Sequence, residues 1–345
     1  MHDFSSRIYS LCRIDARKHL FYENLETARR AAQLAMAKKS KRGELAAMGG
    51  CKRLPRPAIN FQASPSIHNK TTAYLFSILG GESNILYSDN NCQTALCNLD
   101  MNIIDPFAPP NSFKSWNAIS LPITSPKRPL SLYVLDLSPA ARPSCCFEVL
   151  SRRENELALP KEWNWEILPP PPFFYDPKTA PDLYSYAVVD GSTICISSLE
   201  KAIGTYTFDT VGKKWSQAAH WALPFFGRVE YVPELGLCAF SNLCALDLSA
   251  MDHGQPSKLQ YTWDYIDLPR KSLLRCQFAT FFGTELGTCG MSAYHSDYEA
   301  TFCRECAAFT GLEVKRGNDG EGPLEFIKHM SKGFSVGDRN IECVL

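Results

Sequence analysis

Short runs in which apolar and polar residues alternate recur along the chain, each closed by Gly, Pro, Asp or Asn. A period of two places one set of side chains on each face of a strand, so these runs predict half-buried β-strands. Four of them end in Asp: "ALCNLD" at Asp100, "SLYVLD" at Asp136, "GTYTFD" at Asp209 and "LCALD" at Asp247. An Asp there can accept backbone amides as the chain leaves the strand. "YSYAVVDGSTICISS" predicts a hairpin turning at Asp190-Gly191, and "VEYVPELGLCAFS" one turning at Pro233 to Gly236. After Pro269, "CQFATFFG", "TCGMSAY", "AAFTGLEV" and "LEFIKHMSKGF" predict four more strands. Near the start, "RIYSLCRID" and "HLFY" predict strands that complete the last sheet.

A second pattern overlies the first. "WNAISLP" (Trp116 to Pro122), "WNWEILP" (Trp163 to Pro169) and "WDYIDLP" (Trp263 to Pro269) share one spacing, and "WSQAAHWALP" (Trp215 to Pro224) is a looser version. Their prolines, Pro122, Pro169, Pro224 and Pro269, stand 47, 55 and 45 residues apart. The Trp is expected to open a strand and bury its ring between sheets, and Leu-Pro to stop the pairing because Pro lacks an amide proton. Four short strands per unit at this period predict a β-propeller blade of the kelch type. The fold expected is therefore all-β: a kelch-like β-propeller of about five to six blades, with a short basic, helix-prone N-terminal segment. One blade is incomplete in this scheme, because only "ITSPKRPLS" separates Pro122 from Leu132. The domains are residues 1–25, strands that close the propeller; 26–60, a basic helix-prone linker; and 61–345, the propeller.

The blocks "GTYTFDTVGKKW", "WALPFFGRVEYVPELGL", "YSLCRID", "AAFTGLEVKRG" and "FIKHMSKGF" resemble a plant, grass-expanded, kelch-like propeller family, domain of unknown function 1668. The resemblance spans residues 7–22 and 60–337, and its most specific block is Tyr206 to Gly236. It implies fold and lineage and supplies no catalytic residue.

Composition narrows the function classes. Lys plus Arg equals Asp plus Glu at 36 each, so no global charge draws the chain to nucleic acid or to an anionic membrane. No apolar run reaches the roughly 18 residues of a membrane helix, and the first twenty residues hold no secretory h-region. The chain is expected in cytoplasm or nucleus, with its 14 cysteines mostly reduced. Positive charge concentrates at residues 29–56, where "KKSKR" (Lys38 to Arg42) has the form of a nuclear signal or of a solvated linker. No aromatic interleaves that run, so nucleic acid is not expected as a partner.

No residue set commits to chemistry. Cys303 and Cys306 have the spacing of half a zinc site, with Cys289 and His295 near enough in sequence to complete it. Alternation along a strand would point the two to opposite faces, so reduced strand cysteines are the preferred reading. Cys145-Cys146, and Cys92 with Cys97, have no His at ligand spacing. There is no G-x-S-x-G elbow, P-loop or H-E-x-x-H. No catalytic, cofactor-binding or metal-ligating residue is assigned and no cofactor is expected. "PPPP" (Pro169 to Pro172) is a polyproline ligand or a stiff inter-blade loop. The function expected is a non-enzymatic platform for a protein partner. It rests on intervals of 15, 26, 5 and 15 residues between each Asp and the next Trp, taken as loops of varying length on one face. The alternative is a propeller-borne oxidoreductase.

Overall fold

A computed structural model describes residues 2–3, 8–37, 51–63, 73–89, 91–115, 117–125, 128–137, 143–152, 163–175, 183–198, 200, 203–223, 227–232, 237–240, 244–246, 261–262, 276–284, 287–291, 306–316 and 324–335. The chain falls into two compact units, residues 1–61 with 237–246 and 259–344, and residues 62–236 with 247–258 and 345.

The first unit opens with β1 (His2–Asp3) and β2 (Ile8–Leu11), followed by α1 (Ala16–Leu20), α2 (Leu25–Ala37), β3 (Cys51–Arg53) and β4 (Ile59–Gln62). "HLFY", expected as a strand, instead ends α1: Asp15 caps the helix by accepting the Lys18 amide, at 3.0 Å, and Leu20 is buried.

The second unit is a series of antiparallel four-strand meanders. Blade one is β5 (Ala73–Ile78), β6 (Asn84–Asp89), β7 (Thr94–Asn98) and β8 (Ile103–Pro106). Blade two is β9 (Ala118–Ser125), β10 (Arg128–Asp136), β11 (Phe147–Arg152) and β12 (Trp163–Ile167). Blade three is β13 (Leu183–Val189), β14 (Thr193–Ser198), β15 (Thr205–Asp209) and β16 (Lys214–Ala219), with β17 (Gly227–Val232) pairing parallel to β13. Each is the blade unit of a β-propeller, formed because alternating strands joined by tight turns can pair only with their sequence neighbours.

The remaining strands belong to the first unit. They are β18 (Leu237–Phe240), β19 (Cys244–Leu246), β20 (Tyr261–Thr262), β21 (Cys276–Thr284), β22 (Gly287–Met291), β23 (Cys306–Arg316) and β24 (Leu324–Ser335). The four strands expected after Pro269 do share a sheet, but in the order β22-β21-β23-β24-β3 with β21 and β23 parallel. The N-terminal strand that joins this sheet is β3, pairing parallel with β24, whereas β2 lies between β1 and β4.

Two expectations about the repeat are corrected. Blade two is complete: "WNAISLP" supplies its first strand, with Pro122 opposite Leu132 inside the β9–β10 pairing. Proline is tolerated there because β9 is the terminal strand of that sheet. The strand-ending Asp residues are also not equivalent. Asp209 ends a third strand and Asp136 a second, so the two stand at opposite ends of their blades, while Asp100 lies in the β7–β8 turn. The structural counterpart of Asp209 is Asn98. Each ends a third strand with four residues between it and the fourth, and each side chain accepts a turn amide at 2.8 Å. Asp190 and Gly191 form the expected hairpin turn, with φ of 51° and 62°.

Among the described residues, two cores fill gaps between blades. Leu75 and Leu86 of blade one pack with Leu132, Val134, Leu150 and Trp165 of blade two. Tyr133, Leu135, Phe147 and Val149 of blade two pack with Ile194, Ile196 and Phe208 of blade three. Strand alternation thus sends Leu132 and Val134 one way and Tyr133 and Leu135 the other.

Candidate functional site

Of the four repeat tryptophans, Trp163 and Trp215 fall on fourth strands, while Trp116 and Trp263 lie outside the described residues. The Trp that matches Trp215 is Trp165. Trp165 donates its indole N–H to the Ala108 carbonyl, at 2.9 Å, and Trp215 donates to the Pro169 carbonyl, at 2.7 Å. Both acceptors lie two residues past the fourth strand of the preceding blade. One strand therefore pins the exit of its predecessor, using the polar edge of a ring whose apolar body fills the core. Trp215 also meets Phe208 and Phe147, with ring centroids 5.0 and 5.5 Å apart. Trp163 instead lies under the Arg152 guanidinium, 5.1 Å from its ring centroid.

These contacts anchor the described parts of two linkers that leave one blade for the next, residues 107–115 and 168–175. The first is held by charge. Lys114 and Glu148 form an ion pair in which neither side chain is exposed. Glu148 Oε2 also accepts the Asn111 backbone amide, at 2.8 Å, and its side-chain amide, at 2.7 Å, while Oε1 accepts the Ser112 amide at 3.2 Å. Lys114 Nζ donates to the Ser112 carbonyl and hydroxyl, at 3.0 and 2.9 Å. Asp136 then takes the Ser115 amide and hydroxyl, at 2.8 and 2.5 Å. A buried carboxylate is tolerated only with such a full set of donors. With both oxygens occupied and no exposure, Glu148 is a clamp and not a free base.

The second linker is held by packing. Glu148 and Tyr206 both stand two residues before the strand partner of the pinning Trp, Leu150 and Phe208. Where Glu148 grips Lys114, Tyr206 packs on Phe173 with centroids 5.1 Å apart. Pro170 and Pro171 are buried between exposed Pro169 and Pro172, as in a stiff linker packed on the blade.

Each clamp leaves one aromatic outside. Phe113, between anchored Ser112 and buried Lys114, is 61% exposed, and Tyr175, two residues past buried Phe173, is 63% exposed. Both lie on connections from a fourth strand to the next first strand, which meander topology places at the same end of successive blades. No motif marks Phe113, because its meaning comes from the burial of its neighbours. The sole local signal was the polar run around it, "NSFKS".

The intervals counted from Asp to Trp do not form one set of loops. The first contains β8, the second contains β11, the third is the β15–β16 turn, and the fourth lies largely outside the described residues.

Nucleophile candidates are quiet. Burial pushes the Cys97 thiol up to about 11 and the Cys195 thiol to about 12. Burial, with Asp136 adding, lifts Cys146 to about 12. Desolvation also raises Cys92 and Tyr74. Among the described residues no group of three His, Cys, Asp or Glu is placed to hold a metal. Of the zinc candidates, Cys289 is on β22 and Cys306 begins β23, while Cys303 and His295 lie outside the described residues. No described helix is long and apolar enough to cross a membrane.

No curated protein matches the chain. Among solved structures it is similar to a structural-genomics protein of unknown function from Bacteroides thetaiotaomicron, at 10% identity and TM-score 0.31, covering 50% of this chain and 40% of that one. It is similar to the β-propeller domain of Cps50 (Swd1) from Myceliophteria thermophila, at 10% identity and TM-score 0.33, covering 56% and 57%. It is also similar to Hsv2 of Kluyveromyces lactis, at 8% identity and TM-score 0.29, covering 81% and 89%. The chain thus spans about half the length of the first two. Likenesses this distant carry no argument about function. A family model does span residues 1–334, and the chain belongs to that family, proteins of unknown function DUF1668.

Proposed function

We propose that the chain is a non-enzymatic platform that binds a protein partner through the linker end of its blades. The supporting observation is the pair of exposed aromatics, Phe113 and Tyr175, each held out beside a buried anchor on successive linkers. Aromatic side chains dominate interface hot spots, and a pre-anchored linker has little freedom left to lose on binding. The titratable groups beside Phe113 are occupied in holding the first linker, which favours binding over catalysis. Cytoplasm or nucleus is the compartment proposed.

Affinity capture from cell extract with the full chain tests this. Phe113→Ala and Tyr175→Ala should each lower recovery of the captured protein at least about tenfold, the effect of a hot-spot truncation of about 1.4 kcal/mol or more. Thermal unfolding should stay unchanged. Stoichiometric copper or iron in the purified protein, with capture indifferent to both substitutions, would reverse the conclusion in favour of a redox enzyme.

A further inference from the structure

The N-terminal segment lies against β23 and β24 at a point where the strand pairing is interrupted. Thr310 faces Ser331 and Leu312 faces Lys328, so β24 has one residue more than β23 across this step, a bulge at His329–Met330 opposite Gly311. Gly311 lies against the backbone of Leu20, and a Cβ there would run into the Leu20 carbonyl. Leu20 is buried with Phe309 and Phe334, and Ile14, Ala16 and Phe21 pack around them.

His329, in the bulge, joins the two parts. Its side chain is 2% exposed. Nδ1 accepts the Tyr22 backbone N–H at 3.1 Å, which places the ring proton on Nε2, and Nε2 donates to Glu313 Oε2 at 2.9 Å. The ring also lies against Phe21 and Tyr22, with centroids 5.0 and 5.9 Å away.

We propose that His329 is a proton-operated latch, which holds residues 14–22 on the β23–β24 hairpin while neutral and releases them when protonated. A proton on Nδ1 would point at the Tyr22 N–H, two donors facing each other in a buried site, and the hydrogen bond between them is lost. The imidazolium keeps its partner on the hairpin, because the Glu313 carboxylate accepts from Nε2 in either state. Protonation therefore favours the hairpin alone, with Nδ1–H turned to water, over the hairpin with the segment docked. The packed elements also carry Lys315 and Arg316 on β23, Glu325 and the half-buried Lys328 and Lys332 on β24, exposed Asp15, Arg17, Lys18 and His19 at α1, and exposed Glu26, Arg29 and Arg30 on α2. A proton on Nδ1 and the Tyr22 hydrogen bond exclude each other, so docking weakens as pH falls.

Amide hydrogen exchange on the full chain, corrected for its intrinsic pH dependence, reads the latch. Protection of residues 14–22 should fall between about pH 8 and about pH 5.5, by up to about tenfold per pH unit for a single proton, while β14 keeps its protection. His329→Gln, whose amide can accept from Tyr22 and donate to Glu313 without taking up a proton, should hold the segment equally at both values. Gly311→Ala should release it at both. Constant protection in the wild type, an equal fall in His329→Gln, or a docked segment in Gly311→Ala would each overturn the latch. If His329→Gln does not fold, nitrogen NMR of the wild-type ring decides. Proton uptake on Nδ1 that coincides with loss of protection supports the latch, and uptake without that loss overturns it.

Discussion

Lys114 shows how a charged residue becomes structural. Fully out of water, it holds its partner Glu148 and the Ser112 carbonyl and hydroxyl, so no donor is wasted on solvent. Glu148→Ala should cost about 3–5 kcal/mol in urea unfolding, because it strands a buried ammonium. Lys114→Met combined with Glu148→Leu should recover most of that loss, since no charge is left unpaired. Cys195 gives a pH signature. Its thiol stays protonated in the fold up to about 12, whereas in the unfolded chain it ionises from the ordinary value of 9.0. Above that value the unfolded state loses its proton first, so this contribution to stability is complete below about pH 9 and is lost toward about pH 12. The fall in unfolding free energy from about pH 8 to 10 should be shallower in Cys195→Ala than in wild type.

At the scale of elements, the recurrent device is a fourth strand that sends an indole back to the carbonyl after the preceding blade. Trp165→Phe and Trp215→Phe each keep an aromatic ring but remove the N–H and part of the buried indole, so each should cost about 1–3 kcal/mol. The two tryptophans serve different blade boundaries, so the double variant should show the sum within about 0.5 kcal/mol in chemical unfolding. The Trp signal in the sequence was real, but its assignment within "WNWEILP" was off by two. Trp163 and Trp165 both point out of β12 on one face, and spacing cannot tell which of them reaches Ala108. "WNAISLP" misled for a related reason. A Leu-Pro that ends pairing after β12 is compatible with pairing inside β9, because a terminal strand leaves one side without a ladder.

For the whole molecule, charge location matters more than charge balance. Lys38 to Arg42 place four positive charges in five residues, and burying them unpaired would be prohibitive. A fluorescent fusion of the full chain separates a nuclear signal from a solvated linker: with a signal, nuclear accumulation is lost in microscopy when Lys38, Lys39, Lys41 and Arg42 are replaced by Ala. An unchanged distribution would leave the pentad as a solvated linker.

Alternation and turn chemistry determined the fold class and the strands of blade three, including the Asp190-Gly191 hairpin, because a period of two and a positive-φ turn are local properties of the chain. Residue propensity determined the helix-prone stretch that becomes α2, where Ala, Leu and Arg favour helix whatever packs on them. Tertiary structure alone decided that "WNAISLP" is a first strand, that β3 and not "RIYSLCRID" joins β24, and that Lys114 is buried on Glu148. It alone brought Tyr22 to His329 across 307 positions. Those outcomes depend on which partners meet in space, and burial of an ion pair or exposure of Phe113 is set by residues far away in sequence, which no local period encodes.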